Sequence, residues 1–154
     1  MNKLGITIED VNDFIKRIEK SIPENKYFNL YTLNTDFSNK VLDFDFPDCF
    51  YEYLIMIIPE VKSFRMKNNV IFIKTNESAT REKFINSFIN NKTYIKDISN
   101  EIYQKYQIKV ENYYVKQFIN RNKYYLDNST DCVYESREKY EEDVNQWDIL
   151  KYID

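Results

Sequence analysis

This chain of 154 residues contains a single glycine, Gly5. Phosphate-binding turns need several glycines, because only a residue without a side chain lets the backbone approach a phosphate closely. Neither a G-x-G-x-x-G turn nor a G-x-x-x-x-G-K-[S/T] loop occurs in the sequence. The chain also lacks histidine, which excludes Ser/His/Asp and Cys/His catalysis and histidine metal sites. We therefore expect a binding module that is not an enzyme and has no metal or other cofactor.

The composition is that of a globular protein. Hydrophobic residues make up 43% and aromatic residues 17% of the chain, which is ample for a packed interior. The longest apolar run, Leu54 to Pro59, is far shorter than the roughly 20 residues that span a bilayer. No N-terminal segment has the layout of a signal peptide, and Cys49 and Cys132 belong to no metal motif. We expect two buried, reduced thiols in a cytoplasmic protein without membrane contact.

The first half of the sequence predicts helices and a short strand followed by a hairpin. Thr7 and Asp10 resemble a capping box, and isoleucine and valine then recur at helical spacing until Pro23. The elements predicted next are a short strand over 27–33, a short helix over 37–46, a helix over 47–58 (or, for part of it, a buried strand), and a hairpin over 61–74 that turns at 67–69.

The second half predicts the same order of elements at an offset of roughly 70 residues. The acidic stretch Glu135 to Asp143 and a short apolar segment then predict a C-terminal helix that packs on the rest. The predicted elements are a helix from 77–78, a short strand over 93–95, helices over 95–106 and 110–121, and strands over 123–126 and 132–134. We therefore predict a mostly helical α+β protein with two tandem winged-helix-like units, 1–77 and 78–134, and an acidic tail helix over 135–154.

The second unit resembles a known family. The resemblance depends on Ile98 to Ile108, which ends in Lys-Tyr-Gln-Ile, and on the run 122–125 followed by Val133-Tyr134. These residues are similar to winged-helix units in multidomain proteins of low-GC bacteria, and the similarity covers residues 78–134. Such units usually read Tyr-Gly-Ile at the turn between the helices, where this chain has Gln107. The resemblance implies a helix-turn-helix with a hairpin wing, a fold that serves both DNA binding and protein docking.

The charges are unevenly distributed along the chain. Although the net charge is −3, residues 78–134 carry a net charge of +3, and residues 135–154 carry −4. A positive balance on a helix-turn-helix favours contact with phosphates. The predicted helix 110–121 has polar residues that can read adenine edges or bind phosphates, and the first hairpin adds further cations. The candidate nucleic-acid contacts are Asn112, Lys116, Gln117, Asn120, Arg121 and Lys123, together with Lys62, Arg65 and Lys67 of the hairpin.

Two interpretations of these residues remain open. The first is a non-enzymatic, regulatory protein that binds double-stranded DNA. The second is a protein-interaction module, or an acidic decoy that inhibits a nucleic-acid-processing partner; the acidic stretch 135–143 and the apolar run 50–58 favour it. Each basic cluster also has an ordinary explanation, since helix 110–121 can be a solvated face and the hairpin cations can protect a sheet edge from aggregation.

Overall fold

The computed structural model describes residues 7–36 and 46–152. Within these ranges the protein is α+β, as predicted, with seven helices and two three-stranded antiparallel sheets. The chain divides into two compact units, with the boundary between Thr80 and Arg81. None of the described helices is long and apolar enough to cross a membrane.

Unit 1 contains three helices and one sheet among its described residues. The sheet order is β1-β3-β2, so that the last strand lies in the middle. Its elements are α1 (Ile8–Ser21), β1 (Tyr27–Phe28), α2 (Leu30–Asp36), α3 (Asp48–Met56), β2 (Val61–Met66) and β3 (Asn69–Lys74).

Unit 2 repeats this order of elements and adds a helix at its end. Its sheet order, β4-β6-β5, again places the last strand in the middle. The predicted repetition of helix, strand, helix, helix and hairpin is therefore confirmed. Its elements are α4 (Arg81–Asn86), β4 (Lys92–Tyr94), α5 (Ile95–Tyr106), α6 (Asn112–Gln117), β5 (Tyr125–Asp127), β6 (Cys132–Tyr134) and α7 (Arg137–Tyr152).

The start of α1 is the predicted capping box. The Thr7 hydroxyl accepts a hydrogen bond from the Asp10 backbone N–H, and the Asp10 carboxylate accepts one from the Thr7 N–H. The helix ends at Ser21, before Pro23. Its inward side buries Phe14 and Ile18 completely. The cap, the apolar spacing and the terminating proline are local signals, and they agree on the bounds of this helix.

The strand predicted over 27–33 is too long. Only Tyr27 and Phe28 pair with β3, and α2 begins at Leu30. The cause is a second reciprocal cap: the Thr32 N–H donates to the Asn29 side-chain oxygen, and the Asn29 N–H donates to the Thr32 hydroxyl, at 3.0 and 2.9 Å. These two bonds satisfy backbone donors at the start of the helix and outweigh the β-propensity of the aromatic run. The helix predicted over 37–46 falls almost entirely outside the described residues.

The hairpin predicted over 61–74 is confirmed. Lys67 and Asn68 lie between the two strands with φ values of 49° and 67°. Two successive residues with positive φ connect antiparallel strands without disturbing their twist. The Asn69 side-chain amide donates to the Lys67 carbonyl at 2.9 Å and supports the turn. Asparagine and lysine thus make a turn for which glycine is the usual residue.

Each unit has buried side chains from its helices and from consecutive residues of the central strand of its sheet. In unit 1, Tyr51, Leu54 and Ile55 of α3 are buried with the inward residues of α1 and β3. This confirms the helix over 47–58 and excludes the alternative strand. The buried residues of unit 2 include Phe84, Ile85, Ile95, Ile98, Ile102, Val115 and Val133.

The prediction of two buried thiols is confirmed for one cysteine and wrong for the other. Cys132 is buried, whereas Cys49 is exposed on the outward side of α3.

Candidate nucleic-acid interface

The turn that leads from α5 to α6 starts at Gln107. Gln107 ends α5 with φ 57° and ψ 36°, the left-handed conformation that glycine adopts most easily. Its backbone N–H and its side-chain amide both donate to the Tyr103 carbonyl, at 2.8 and 3.1 Å. These bonds offset part of the cost of a side chain in this conformation. The chain therefore makes a left-handed turn at this position without a glycine.

One side of α6 is buried and the other is polar and exposed. Val115 is fully buried and anchors the helix in the core of unit 2. Three other side chains of the helix, Asn112, Tyr113 and Gln117, are exposed, and Tyr113 keeps 60% of its surface. The Asn112 side-chain oxygen accepts a hydrogen bond from the Ser99 hydroxyl at 3.1 Å, which fixes the orientation of the amide. We call Asn112, Tyr113 and Gln117 the α6 polar face.

Tyr113 was not among the candidate contacts derived from the sequence. It lies four positions before Gln117, so helical spacing places these two on one side of α6, whereas Asn112 lies about 100° around the helix from Tyr113. The spacing from Gln117 was therefore sufficient to include Tyr113. With 14 tyrosines in the chain, however, composition gave no reason to single out one of them.

Lys116 has an anionic partner within unit 2. Its ammonium group contacts the carboxylate of Asp131, in the turn between β5 and β6. Asp131 has φ 53°, and its carbonyl accepts a hydrogen bond from the Ile95 N–H at the start of α5, at 2.9 Å. The pair thus connects α6 with the hairpin and with α5. The Asp131 carboxylate therefore balances the charge of Lys116, which the sequence analysis proposed as a phosphate contact.

The predicted helix over 110–121 is wrong at its C-terminal end, because α6 stops at Gln117. The side chain of Asn86, on α4, binds the backbone beyond that point. Its amide donates to the Phe118 carbonyl at 2.7 Å, and its oxygen accepts from the Asn120 N–H at 3.0 Å. These backbone groups are therefore engaged by α4 and cannot extend the helix. We call residues 118–124 the α6–β5 segment.

Three candidate contacts lie on this segment and not on the helix. Asn120 is half-buried, and its side-chain oxygen accepts a hydrogen bond from the Asn122 N–H at 3.1 Å. Arg121 and Lys123 are exposed, and the Lys123 ammonium lies 5.2 Å from the centre of the Tyr124 ring. The helical spacing that the sequence suggested for Asn112, Lys116 and Asn120 is therefore interrupted after Lys116.

The turn between β5 and β6 carries negative charge. The Asp127 carboxylate accepts hydrogen bonds from the Ser129 N–H, the Ser129 hydroxyl and the Thr130 hydroxyl, at 3.0, 2.7 and 2.8 Å. These bonds, the Ser129 hydroxyl first, lower the pKa of Asp127, so that it is an anion at neutral pH. An anion in this position is unsuited to phosphate contact.

The first hairpin, in unit 1, carries the remaining candidate cations. Lys62 and Arg65 are exposed on β2, which is an edge strand, and Lys67 is exposed in the turn. Partial burial raises the pKa of the Glu52 carboxyl on α3, and the charge of Arg65 opposes part of this rise. The edge position of β2 keeps both interpretations of these cations open, phosphate contact and protection of the edge.

The acidic C-terminal segment is a helix, as predicted, and it packs on the sheet of unit 2. Asp143 accepts hydrogen bonds from the Lys92 ammonium at 3.0 Å and from the Tyr134 hydroxyl at 2.7 Å. The bond from Tyr134 and that from Lys92 lower the pKa of Asp143, and the carboxylate in turn raises the pKa of Lys92. A cleft of about 190 Å³ adjoins this cluster.

Further acidic groups in and next to α7 have partners within the unit. Glu141 pairs with Arg137 at 3.2 Å, and Glu142 pairs with Lys139 at 3.8 Å. Glu135 precedes the helix and accepts a hydrogen bond from the Asn91 N–H at 3.1 Å. These pairs reduce the negative potential that a decoy for a nucleic-acid site would need.

Comparisons of the chain with protein-family models, with curated proteins and with solved structures find no match. In the described part of the chain, no three cysteine or acidic side chains are grouped so that they could hold a metal ion.

Proposed function

We propose that this protein is a non-enzymatic, regulatory DNA-binding protein with two winged-helix-like units, and that unit 2 reads the duplex through α6. The observation that carries the proposal is the α6 polar face, three exposed side chains on the third helix of a unit with the order α-β-α-α-β-β. In a winged-helix fold the third helix is the one that enters the major groove.

The side chains of this face have the chemistry for base contacts. An asparagine or glutamine amide can donate to and accept from the same adenine edge, which is worth about 1–3 kcal/mol of discrimination against a wrong base. The bond from Ser99 orients the Asn112 amide before DNA binds, so less side-chain entropy is lost on binding. Asn112 and Gln117 are therefore the proposed base readers, with Tyr113 beside them.

Arg121 and Lys123 are the proposed phosphate contacts of unit 2. They follow the helix directly and are exposed. Lys116 contributes less than the sequence suggested, since Asp131 offsets its charge. In unit 1, Lys62, Arg65 and Lys67 form a second phosphate-binding surface on the hairpin.

The number of proposed phosphate contacts predicts how strongly DNA binding depends on salt concentration. Each phosphate that a protein neutralises contributes about −0.9 to the slope of log affinity against log salt. Two contacts from unit 2 and up to three from the hairpin predict a slope between about −2 and −4.5. Binding is therefore expected to be weak at physiological salt and readily detectable at low salt.

The first experiment is fluorescence anisotropy of a labelled mixed-sequence duplex with the full chain at several salt concentrations. Replacing both Arg121 and Lys123 by glutamine should reduce the magnitude of the slope by about 2. The matched control is Lys139→Gln, which removes a cation from the acidic α7 and should leave the slope unchanged. No binding of the unaltered chain at low salt would overturn the proposed function.

A second experiment separates base reading from phosphate contact. Asn112→Ala and Gln117→Ala should leave affinity for a mixed duplex nearly unchanged and reduce the preference for selected sites, by about 1–3 kcal/mol for each lost amide pair. Selection of preferred sequences from a random duplex pool, followed by measurement with each variant, tests this. If both variants select the same sequences as the unaltered chain, α6 is not the reading element.

A further inference from the structure

The third helix of unit 1 exposes apolar side chains where α6 exposes polar ones. Tyr53, Met56 and Ile57 keep 60, 40 and 51% of their surfaces exposed. The core of unit 1 does not need them, because the other side of α3 buries Tyr51 and Ile55 almost completely. Large apolar side chains that cluster outside a complete core indicate a surface for a partner.

The exposed side of α3 consists of two parallel rows. Cys49, Tyr53 and Ile57 are spaced four residues apart, so helical geometry places them in one row, and Cys49 is exposed like the other two. Asp48 and Glu52 form the neighbouring row, also at a spacing of four. We call these the apolar row and the acidic row of α3.

The charged residues of α3 and the residues next to it are all acidic. The segment 47–60 contains Asp48, Glu52 and Glu60 and no lysine or arginine. Arg65, on β2, is the nearby cation that acts on Glu52. A surface of apolar residues beside acidic ones selects a partner with apolar residues beside basic ones, because a partner of the same sign would be repelled.

We propose that this side of α3 is a docking surface for an amphipathic, basic helix of another protein. The apolar row receives the apolar residues of that helix, spaced three or four apart, and the acidic row pairs with its lysines or arginines. The inference does not depend on the proposed DNA binding, because α3 carries none of the proposed DNA contacts. It gives the chain a further binding surface, of a different chemistry.

A second copy of the chain is a poorer occupant. A symmetric contact between two α3 helices would place the apolar rows together, but it would also bring two acidic rows into one small interface. Like charges at an interface cost free energy and suppress that pairing. A basic partner avoids this cost.

The experiment uses three fluorescein-labelled helical peptides of about 16 residues, long enough to form a helix in isolation. The first has leucines in one row flanked by lysines, the second has the lysines replaced by glutamates, and the third has the first composition in scrambled order. The full chain should bind the first peptide about tenfold or more tightly than the other two, as measured by anisotropy. Equal binding of the first and scrambled peptides would show attraction to acidic residues in general, and would overturn the proposal.

Variants of α3 locate the surface. The double substitution Tyr53→Ser and Ile57→Ser should weaken binding of the first peptide about tenfold or more, since it removes most of the apolar row. Asp48→Asn with Glu52→Gln should weaken binding and reduce its salt dependence. The matched control is Tyr103→Ser, which removes another exposed tyrosine from α5, with 49% of its surface exposed against 60% for Tyr53. Unchanged binding by the α3 variants would overturn the proposal.

Two further measurements test whether a second copy of the chain, or another part of the same chain, covers this surface instead. If sedimentation shows a concentration-dependent dimer that Tyr53→Ser abolishes, a second copy covers the surface and the proposal is wrong. Exposed substitutions usually change stability by less than about 0.5 kcal/mol. If the double variant unfolds at a much lower urea concentration than the unaltered chain, the surface is already covered within the chain, which also overturns the proposal.

Discussion

Helices α3 and α6 are each the third helix of a unit, and the two units have the same order of elements. The side chains that the two helices expose differ in polarity and charge. The outward side of α3 is apolar and acidic, whereas that of α6 carries amide and hydroxyl groups. The hairpins that follow these two helices also differ, because they carry charges of opposite sign. The hairpin after α3 carries Lys62, Arg65 and Lys67, and the turn after α6 carries Asp127 and Asp131.

In both units the fold depends on buried side chains, whereas the surface available for binding depends on exposed ones. Both third helices are fixed by side chains on their buried sides, such as Ile55 and Val115, which are fully buried. Nothing in the repeated order of elements constrains the outward residues. The two units therefore present different surfaces on one order of elements, for which we propose a protein partner and DNA respectively.

The largest expected effect comes from removing a buried anchor. Ile55→Ala in α3 should lower the free energy of unfolding by about 2–5 kcal/mol, because the lost methyl groups leave a cavity in a packed core. Val115→Ala in α6 should give a smaller loss, since it deletes fewer carbon atoms. Urea unfolding followed by circular dichroism measures both. A loss below about 0.5 kcal/mol at either position would contradict the equal structural role of the two helices.

The second prediction concerns a feature that distinguishes α6. Asn86→Ala removes the bonds to the Phe118 carbonyl and the Asn120 N–H, and it leaves partly buried backbone groups without these partners. We expect a loss of about 2–3 kcal/mol in unfolding free energy. Asn86→Asp keeps an acceptor for the Asn120 N–H, but it places a carboxylate oxygen against the Phe118 and Glu82 carbonyl oxygens, so its loss should be at least as large.

The same variant also tests the proposed DNA contacts. If Asn86 holds the α6–β5 segment, its loss should weaken duplex binding through Arg121 and Lys123 even under conditions where the protein stays folded. A duplex affinity identical to that of the unaltered chain would show that the position of this segment does not matter for binding.

The order of elements could be predicted because its signals are local. Apolar residues at helical spacing, Pro23 and Pro59, and a turn at Lys67 and Asn68 mark the boundaries without reference to distant residues. The start of α2 was also marked locally, by the pair Asn29 and Thr32. The prediction missed it because the aromatic residues before Asn29 favoured a strand.

The polar face of α6 was less predictable, for a different reason. The end of the helix is determined by Asn86, more than 30 residues earlier in the chain. The charge of Lys116 is balanced by Asp131, which reaches it only when the hairpin has formed. Both contacts are tertiary, so a pattern along the sequence cannot reveal them. Amides and cations could be identified as candidates, but which of them share a surface could not.

The third prediction concerns the turn between α5 and α6. Gln107→Val should lower the unfolding free energy by about 1–2 kcal/mol, because a β-branched side chain is strained at φ 57° and cannot donate to the Tyr103 carbonyl. Gln107→Gly should change stability by less than about 1 kcal/mol, since relief of strain is opposed by greater freedom of the unfolded chain. If valine is tolerated as well as glycine, the left-handed turn is not required for folding.

The smallest effect concerns the attachment of α7, for which unit 1 has no counterpart among its described elements. Bonds from Tyr134 and Lys92 lower the pKa of Asp143 in the folded state below its ordinary value of 3.8. The carboxylate therefore adds stability that is fully present above that value and is lost as the pH falls through the folded pKa. Asp143→Asn should flatten the fall of stability with pH below about 4, and Glu138→Gln on the same helix is the control for losing one charge. If both variants lose stability with acid as steeply as the unaltered chain, Asp143 does not contribute to the acid sensitivity of unit 2, and the attachment of α7 depends on the contact of Tyr140 with Tyr125 and Tyr134 instead.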